Sequence, residues 1–236
     1  MLSGGDLYRA PFTRNSSLLP QVPSRILDIG TGTAEWATEM AEDFPTTTIL
    51  GTDLSPIQPS WAPPNCRFFI DDAESDWAFS PSEAFDYIHA RSLGGGIADW
   101  PRLLRQAYTH LKPGGWFEAQ EFETLVLSDD GTHTRATNVL AWQDQLNQAS
   151  KKFGKPVNVA PRLSGWMEDA GFVNVADDVY KVSSFLGIAL RWDERSLGFR
   201  VFLICFFFGS VAWERSTMRA HDLCCGRFLP SKAHWG

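Results

Sequence analysis

Arg25-Ile26-Leu27-Asp28-Ile29-Gly30-Thr31-Gly32-Thr33-Ala34 runs from a short apolar segment straight into a glycine-rich turn. The apolar part predicts a buried strand, and the glycines predict a tight turn whose backbone comes close to a ligand. Trp36, Ala37, Met40, Ala41 and Phe44 follow at helical spacing, and Pro45 stops the helix. A helix N-terminus behind such a turn offers backbone donors to whatever lies there.

Working outward, strands are predicted at Thr48 to Thr52, Cys66 to Ile70, Phe85 to His89 and Trp116 to Phe122. Helices are predicted from near Asp99-Trp100-Pro101 to Leu111, ended by Lys112-Pro113-Gly114-Gly115, and over Thr134 to Ser150 and Arg162 to Ala170, with a split late strand at Phe172 to Val175 and Val179 to Val182. Strands alternating with helices at this interval give βαβ units with right-handed crossovers. The fold class is therefore α/β, a doubly wound and mainly parallel sheet.

The 236 residues suit one well-buried domain, and 44% hydrophobic with 21% charged content excludes a disordered chain. A net charge of −7 argues against direct nucleic-acid binding, which needs a basic face. The longest apolar run, Val201 to Phe208, is far short of a bilayer span, so no membrane segment is expected. Four cysteines without a CxxC spacing suggest neither a disulfide framework nor a zinc site, and a cytoplasmic or nuclear location is expected.

The chemistry is expected where the strands end. A dinucleotide fingerprint needs G-x-G-x-x-G, and here the sixth position is Glu35, an anion where a pyrophosphate should sit. That, with Asp28 before the first glycine, favours a ligand carrying an amine and a sugar but no phosphate. Asp53 closes the second strand, where a carboxylate accepts both hydroxyls of a ribose. Asp72-Ala73-Glu74 closes the third and can take the exocyclic amine of adenine. His89 and Arg91 fall at the end of the fourth strand, where His89 is a candidate general base and Arg91 a partner for a carboxylate. Glu121 is a candidate to face an acceptor, against the ordinary reading of a strand-end glutamate in water. Trp100, Trp116 and Trp142 read as core rather than as a ligand cage.

Taken together, these segments resemble class I S-adenosylmethionine-dependent methyltransferases, specifically the fungal LaeA-like group. The resemblance is carried by Leu27 to Thr33, by Gly51-Thr52-Asp53-Leu54-Ser55-Pro56-Ile57-Gln58-Pro59 and by Pro63-Pro64-Asn65-Cys66-Arg67-Phe68. It continues through Asp71 to Glu74, Phe85 to Arg91, Asp99-Trp100-Pro101 and Leu111-Lys112-Pro113-Gly114-Gly115-Trp116. It implies a Rossmann-like sheet and S-adenosylmethionine as cofactor, with Gly30 to Gly32 beneath the methionine part, Asp53 on the ribose and Asp72-Ala73 flanking adenine. The implied cofactor set is Asp28, Gly30, Thr31, Gly32, Asp53, Leu54, Asp72, Ala73 and Arg91; no catalytic residue and no metal ligand is assigned. It also implies a role in secondary metabolism, as a regulator partnered with a velvet-type protein or as a tailoring enzyme. The methyl acceptor is a small molecule or a protein. The alternative is a non-catalytic regulatory or interaction module that keeps the crevice, and a nicotinamide oxidoreductase is disfavoured by Glu35 and Asp28.

Three departures from the family accompany this. Ala34 replaces a usual glycine, the helical lead-in is short (residues 1–24), and no resemblance is found after Ser183. Residues 25–182 are expected to form the methyltransferase domain and 183–236 an atypical C-terminal segment. That last stretch is net basic against an acidic body and holds Cys205, Cys224 and Cys225. It reads as translation through a retained intron or a frame error, or else as a divergent segment in which Val201 to Phe208 supplies a closing strand. From these departures, weak cofactor binding and low turnover are expected.

Overall fold

The computed structural model describes residues 7–12, 22–182 and 223–233. Five strands lie parallel: β1 (Arg25–Ile29), β2 (Thr48–Asp53), β3 (Cys66–Ile70), β4 (Phe85–Arg91) and β5 (Leu111–Leu127), in the order β3-β2-β1-β4-β5. Each of β1, β2 and β4 is buried on both faces, as parallel strands between helical layers must be. Helix α1 (Glu35–Asp43) follows β1, and α2 (Trp100–His110) joins β4 to β5. Helices α3 (Thr137–Phe153) and α4 (Ala160–Ala170) follow β5.

The two faces of the sheet have different cores. On one, Leu27, Ile29, Ile88 and Phe117 meet Leu103, Leu104 and Ala107 of α2 and Leu163 and Met167 of α4. On the other, Ile26, Ile49 and Tyr87 meet Trp36, Ala37 and Met40 of α1, and the lead-in residues Leu7, Tyr8 and Phe12 cover them. The alternation along β1 therefore puts Leu27 and Ile29 towards α2 and puts Ile26, with Asp28, towards α1.

Helix α2 begins at Trp100, as expected, because Asp99 caps it, its carboxylate accepting the Arg102 amide at 2.9 Å. The Lys112-Pro113-Gly114-Gly115 segment, expected to end that helix as a turn, lies inside β5 opposite a break in register between Phe85 and Tyr87. The late strand is split as expected, into β6 (Phe172–Val173) and β7 (Asp178–Val182). Trp100 is core, but Trp142 is exposed on α3, against expectation.

A strand also forms in the atypical tail. Strand β8 (Leu223–Ala233) runs antiparallel to β5, from Trp116 opposite Lys232 to Leu127 opposite Leu223, and β6 and β7 pair on its other edge. Its composition, with Gly226 and Pro230 inside, carries no strand pattern; the open edge of β5 templates it. Pro230 has no amide hydrogen and falls at the gap between the stretches paired with β6 and with β7. The Val201 to Phe208 run lies outside the described residues. No helix among the described residues is long and apolar enough to cross a membrane.

The C-terminus of α1 depends on one side chain. The Asn65 amide donates to the carbonyls of Ala41 (3.0 Å), Phe44 (3.0 Å) and Thr47 (2.9 Å), tying the helix end to the start of β3. Asn65→Ala leaves these partly buried acceptors without their shared donor. The expected cost is about 1–2 kcal/mol, read as a lower urea midpoint with an unchanged slope.

Candidate functional site

Strand order reverses between β1 and β4, and open α/β sheets bind ligands at that point, outside the carboxyl ends of the strands. A half-open crevice of about 120 Å³ lies there. Its walls come from four strand ends: Ile29 and Gly30, Thr52 to Leu54, Asp71 to Ala73, and the loop after β4 through Leu93, Gly96 and Ile97.

The turn after β1 is left-handed at three of its five residues: Gly30 (φ 66°), Gly32 (φ 56°) and Ala34 (φ 65°). A Cβ on Gly30 would press on the end of the Leu93 side chain, which would have to shift, and the left-handed φ at this position favours glycine in any case. Ala34, where the family usually has glycine, adopts the strained conformation itself, at a cost of roughly 1–2 kcal/mol. Gly32 is held by both of its backbone polar groups. Its N–H donates to Asp53 Oδ2 at 2.8 Å, and its carbonyl accepts the Gln58 amide at 2.9 Å. The other Asp53 oxygen accepts the Ser55 amide at 2.8 Å, and Gln58 also donates to the Ser55 carbonyl. The Leu54 to Gln58 string is thus a clamp on the glycine turn. Asp53 keeps lone pairs free beyond these two amides, because each carboxylate oxygen can accept twice.

At the end of β3 the exposed Asp72 accepts the Glu74 amide at 2.9 Å. Glu74 in turn accepts the amides of Ala98 (2.8 Å) and Asp99 (2.9 Å) on one oxygen and the Lys155 ammonium (3.1 Å) on the other. Its burial pushes the carboxyl upward, but the two amides and Lys155 outweigh that and hold it below the usual range. Lys155 also donates to the Gly96 carbonyl at 2.7 Å.

The front of the same loop is held by Glu121, which lies buried in the middle of β5 rather than at a strand end facing water. Its oxygens accept the amides of Leu93 (2.5 Å) and Gly94 (3.0 Å). Burial raises its carboxyl to about 7 despite those two amides. Glu121 and Glu74 together fix the loop that closes the crevice. Neither role was readable in the sequence, because each carboxylate bonds a backbone more than twenty residues away.

The sequence-predicted set divides. Gly30, Asp53, Leu54, Asp72 and Ala73 line the crevice. Gly32 adjoins it through Asp53. Asp28 and Thr31 are buried beneath the turn, bonded to each other at 2.6 Å. His89 is not at the mouth; it is 1% exposed, bonded to Asp28 at 2.7 Å and stacked on Trp36. Arg91 is exposed beside Gln120 and does not line the crevice.

A sheet of this order, with a glycine turn, a carboxylate on the second strand end and an acidic first helical turn at Glu35, defines the Rossmann-like fold of class I methyltransferases. The chain belongs to the methyltransferase domain family, whose model matches residues 6–177. It is 45% identical over 158 residues to methyltransferase pytC of Aspergillus terreus, covering 66% of this chain and 48% of that protein. It is 36% identical over 180 residues to the secondary metabolism regulator LAE1 of Cochliobolus heterostrophus, covering 75% and 57%. The chain thus spans about half the length of the curated relatives it matches. Its fold is similar to Haemonchus contortus phosphoethanolamine N-methyltransferase 2, solved with phosphomonomethylethanolamine and S-adenosylhomocysteine. That match has a TM-score of 0.55 at 16% identity, over 93% of this chain and 51% of that one.

Glu121 makes stability depend on pH. Its folded-state value of about 7 lies above the ordinary 4.5, so between those values the folded chain holds a proton that the unfolded chain releases. The associated stability, on the order of 3 kcal/mol, is fully present below about pH 4.5 and is lost as pH rises through 7. Glu121→Gln removes this titration. Urea midpoints measured from pH 5 to pH 8 should fall less steeply with pH in the variant than in the wild type.

Proposed function

We propose that this chain is the cofactor-binding part of an S-adenosylmethionine-dependent methyltransferase acting in fungal secondary metabolism. The observation that carries the reading is the crevice itself, in which Gly30, Asp53 and Ala73 from three consecutive strand ends face one space. The residues fit the cofactor. A Cβ built on Gly32 meets nothing within 4 Å, leaving a cradle for an amino-acid moiety, and Asp53 has acceptor capacity left for ribose hydroxyls. They do not fit a dinucleotide, because Glu35 places an exposed anion in the first turn of α1, where a pyrophosphate would need the bare helix end.

When bound, S-adenosylmethionine supplies an electrophilic methyl on sulfonium. The chain's own work is to bind and orient: Asp53 holds the sugar, Asp72 and Ala73 flank the base, and the Gly30 to Gly32 backbone underlies the methionine end. Asp28 and Thr31 act from beneath, and Arg91 stands outside the contact set. Positioning of this kind accounts for much of the rate such a step gains. Similarity to pytC and to LAE1 supports two settings: a biosynthetic enzyme acting on a small molecule, or a regulator in the nucleus with a velvet-type partner and a protein acceptor.

Calorimetry with S-adenosylhomocysteine and with NAD tests the assignment. Binding of the first and not the second is expected, with Asp53→Ala weakening it by roughly ten- to a hundredfold through the stranded hydroxyls and the loosened turn. Unchanged affinity in that variant, or preference for NAD, contradicts it.

A further inference from the structure

Beneath the glycine turn lies a polar chain that the contact set leaves without a task. Asp28 on β1 and His89 on β4 stand directly opposite in register. His89 Nδ1 lies 2.7 Å from Asp28 Oδ1, and Asp28 Oδ2 accepts the Thr31 hydroxyl at 2.6 Å. Thr31 sits between the two left-handed glycines, and its own amide donates to the Thr52 carbonyl at 2.9 Å. The approach is close. A Cβ on Gly51 would lie 2.9 Å from the Thr31 hydroxyl, so β2 has no side chain where Thr31 packs. Trp36, in the helix that the turn launches, stacks on the His89 ring at 3.8 Å and 6°. Its indole N–H donates to the Leu7 carbonyl at 2.7 Å.

The imidazole has one polar partner among the described residues. His89 Nε2 is buried and has none, so Nδ1 carries the hydrogen given to Asp28 and Nε2 is the lone-pair nitrogen. A ring that is 1% exposed under an indole cannot meet an acceptor substrate, which removes the general-base role. Nor does apolar packing explain it, since an aliphatic side chain would fill the space without an orphaned nitrogen.

We infer that His89 is a positioning residue that acts through Asp28 and Thr31 to hold the glycine turn in its ligand-receiving conformation. The inference deepens the proposed function and rests on it for the ligand. Without the Nδ1 donor, one oxygen of the buried Asp28 has no partner. The carboxylate must then reorient or recruit water, and its grip on Thr31 loosens.

The two amides that mimic the two ring nitrogens discriminate this role from packing. His89→Asn places an N–H near the Nδ1 position and should keep S-adenosylhomocysteine affinity within about threefold. His89→Gln places its amide near Nε2, where no acceptor lies among the described residues, and should lose about tenfold, the effect of one buried hydrogen bond. Thr31→Val, nearly isosteric, should lose a similar factor, and the double variant should lose little more than either, because one chain is broken once. Hydrogen exchange without ligand gives an independent reading: the Thr31 and Gly32 amides should exchange faster in His89→Gln and not in His89→Asn. Equal behaviour of the Asn and Gln variants in exchange, or additive losses in the double variant, overturns the inference. Absence of S-adenosylhomocysteine binding in the wild type, with the exchange pattern as expected, overturns the proposed function and leaves the positioning role standing.

Discussion

Gly32 is gripped by both of its backbone polar groups, its N–H by Asp53 and its carbonyl by Gln58, and the rest of the crevice is arranged around that grip. A turn with three left-handed residues in five does not hold its shape unaided, since one of them is alanine and the glycines are conformationally free. The clamp fixes it from the side of β2, and Asp28 fixes it from below through Thr31. Leu93 then closes on Gly30, so the position of the β4 loop follows from that of the turn. The loop has its own supports in Glu121 and Glu74. Four carboxylates thus hold backbone, directly or through Thr31, around the crevice.

The two faces of the sheet divide the labour. The α2 and α4 face is mainly apolar, with Glu121 buried at its rim, and supplies much of the burial that holds the domain together. The α1 face mixes that burial with polar groups: Asp28, His89, Tyr87 and Glu118 are all buried there. Glu118 accepts the Tyr87 hydroxyl at 2.8 Å, the Gln120 amide at 2.8 Å and the Arg9 backbone amide at 2.8 Å, so a lead-in residue satisfies a buried acid of β5. Residues 7–12 are therefore part of the fold, sealing a polar layer that water would otherwise enter. A lead-in read from the sequence only as short thus carries structural weight.

The parallel sheet was legible because local signals set it: apolar runs of strand length, glycine turns and helical spacing between them. Asp53 and Asp72 were legible because strand ends in an α/β sheet point into one crevice, so a position along the chain implies a position in space. His89 and Arg91 share one face of β4: pleating turns both to the α1 side, where His89 is covered by Trp36 and Arg91, the last residue of the strand, is exposed. Glu121 and Gln58 were both noted in the sequence, but their bonding roles were not legible for a different reason. Each bonds a backbone group that only tertiary docking brings near, and no spacing records that. Strand β8 is the extreme case, its pairing set by the edge of β5 rather than by its own residues.

The central claim is that the clamped glycine turn and the β2 carboxylate form a receptor for S-adenosylmethionine. A crystal structure of the chain with S-adenosylhomocysteine tests it most directly. The expected result is a ribose whose hydroxyls bond Asp53 while the Gly32 amide keeps its own bond to that carboxylate, with the base beside Ala73. Ligand density elsewhere on the molecule, or a ribose turned away from Asp53, would contradict it.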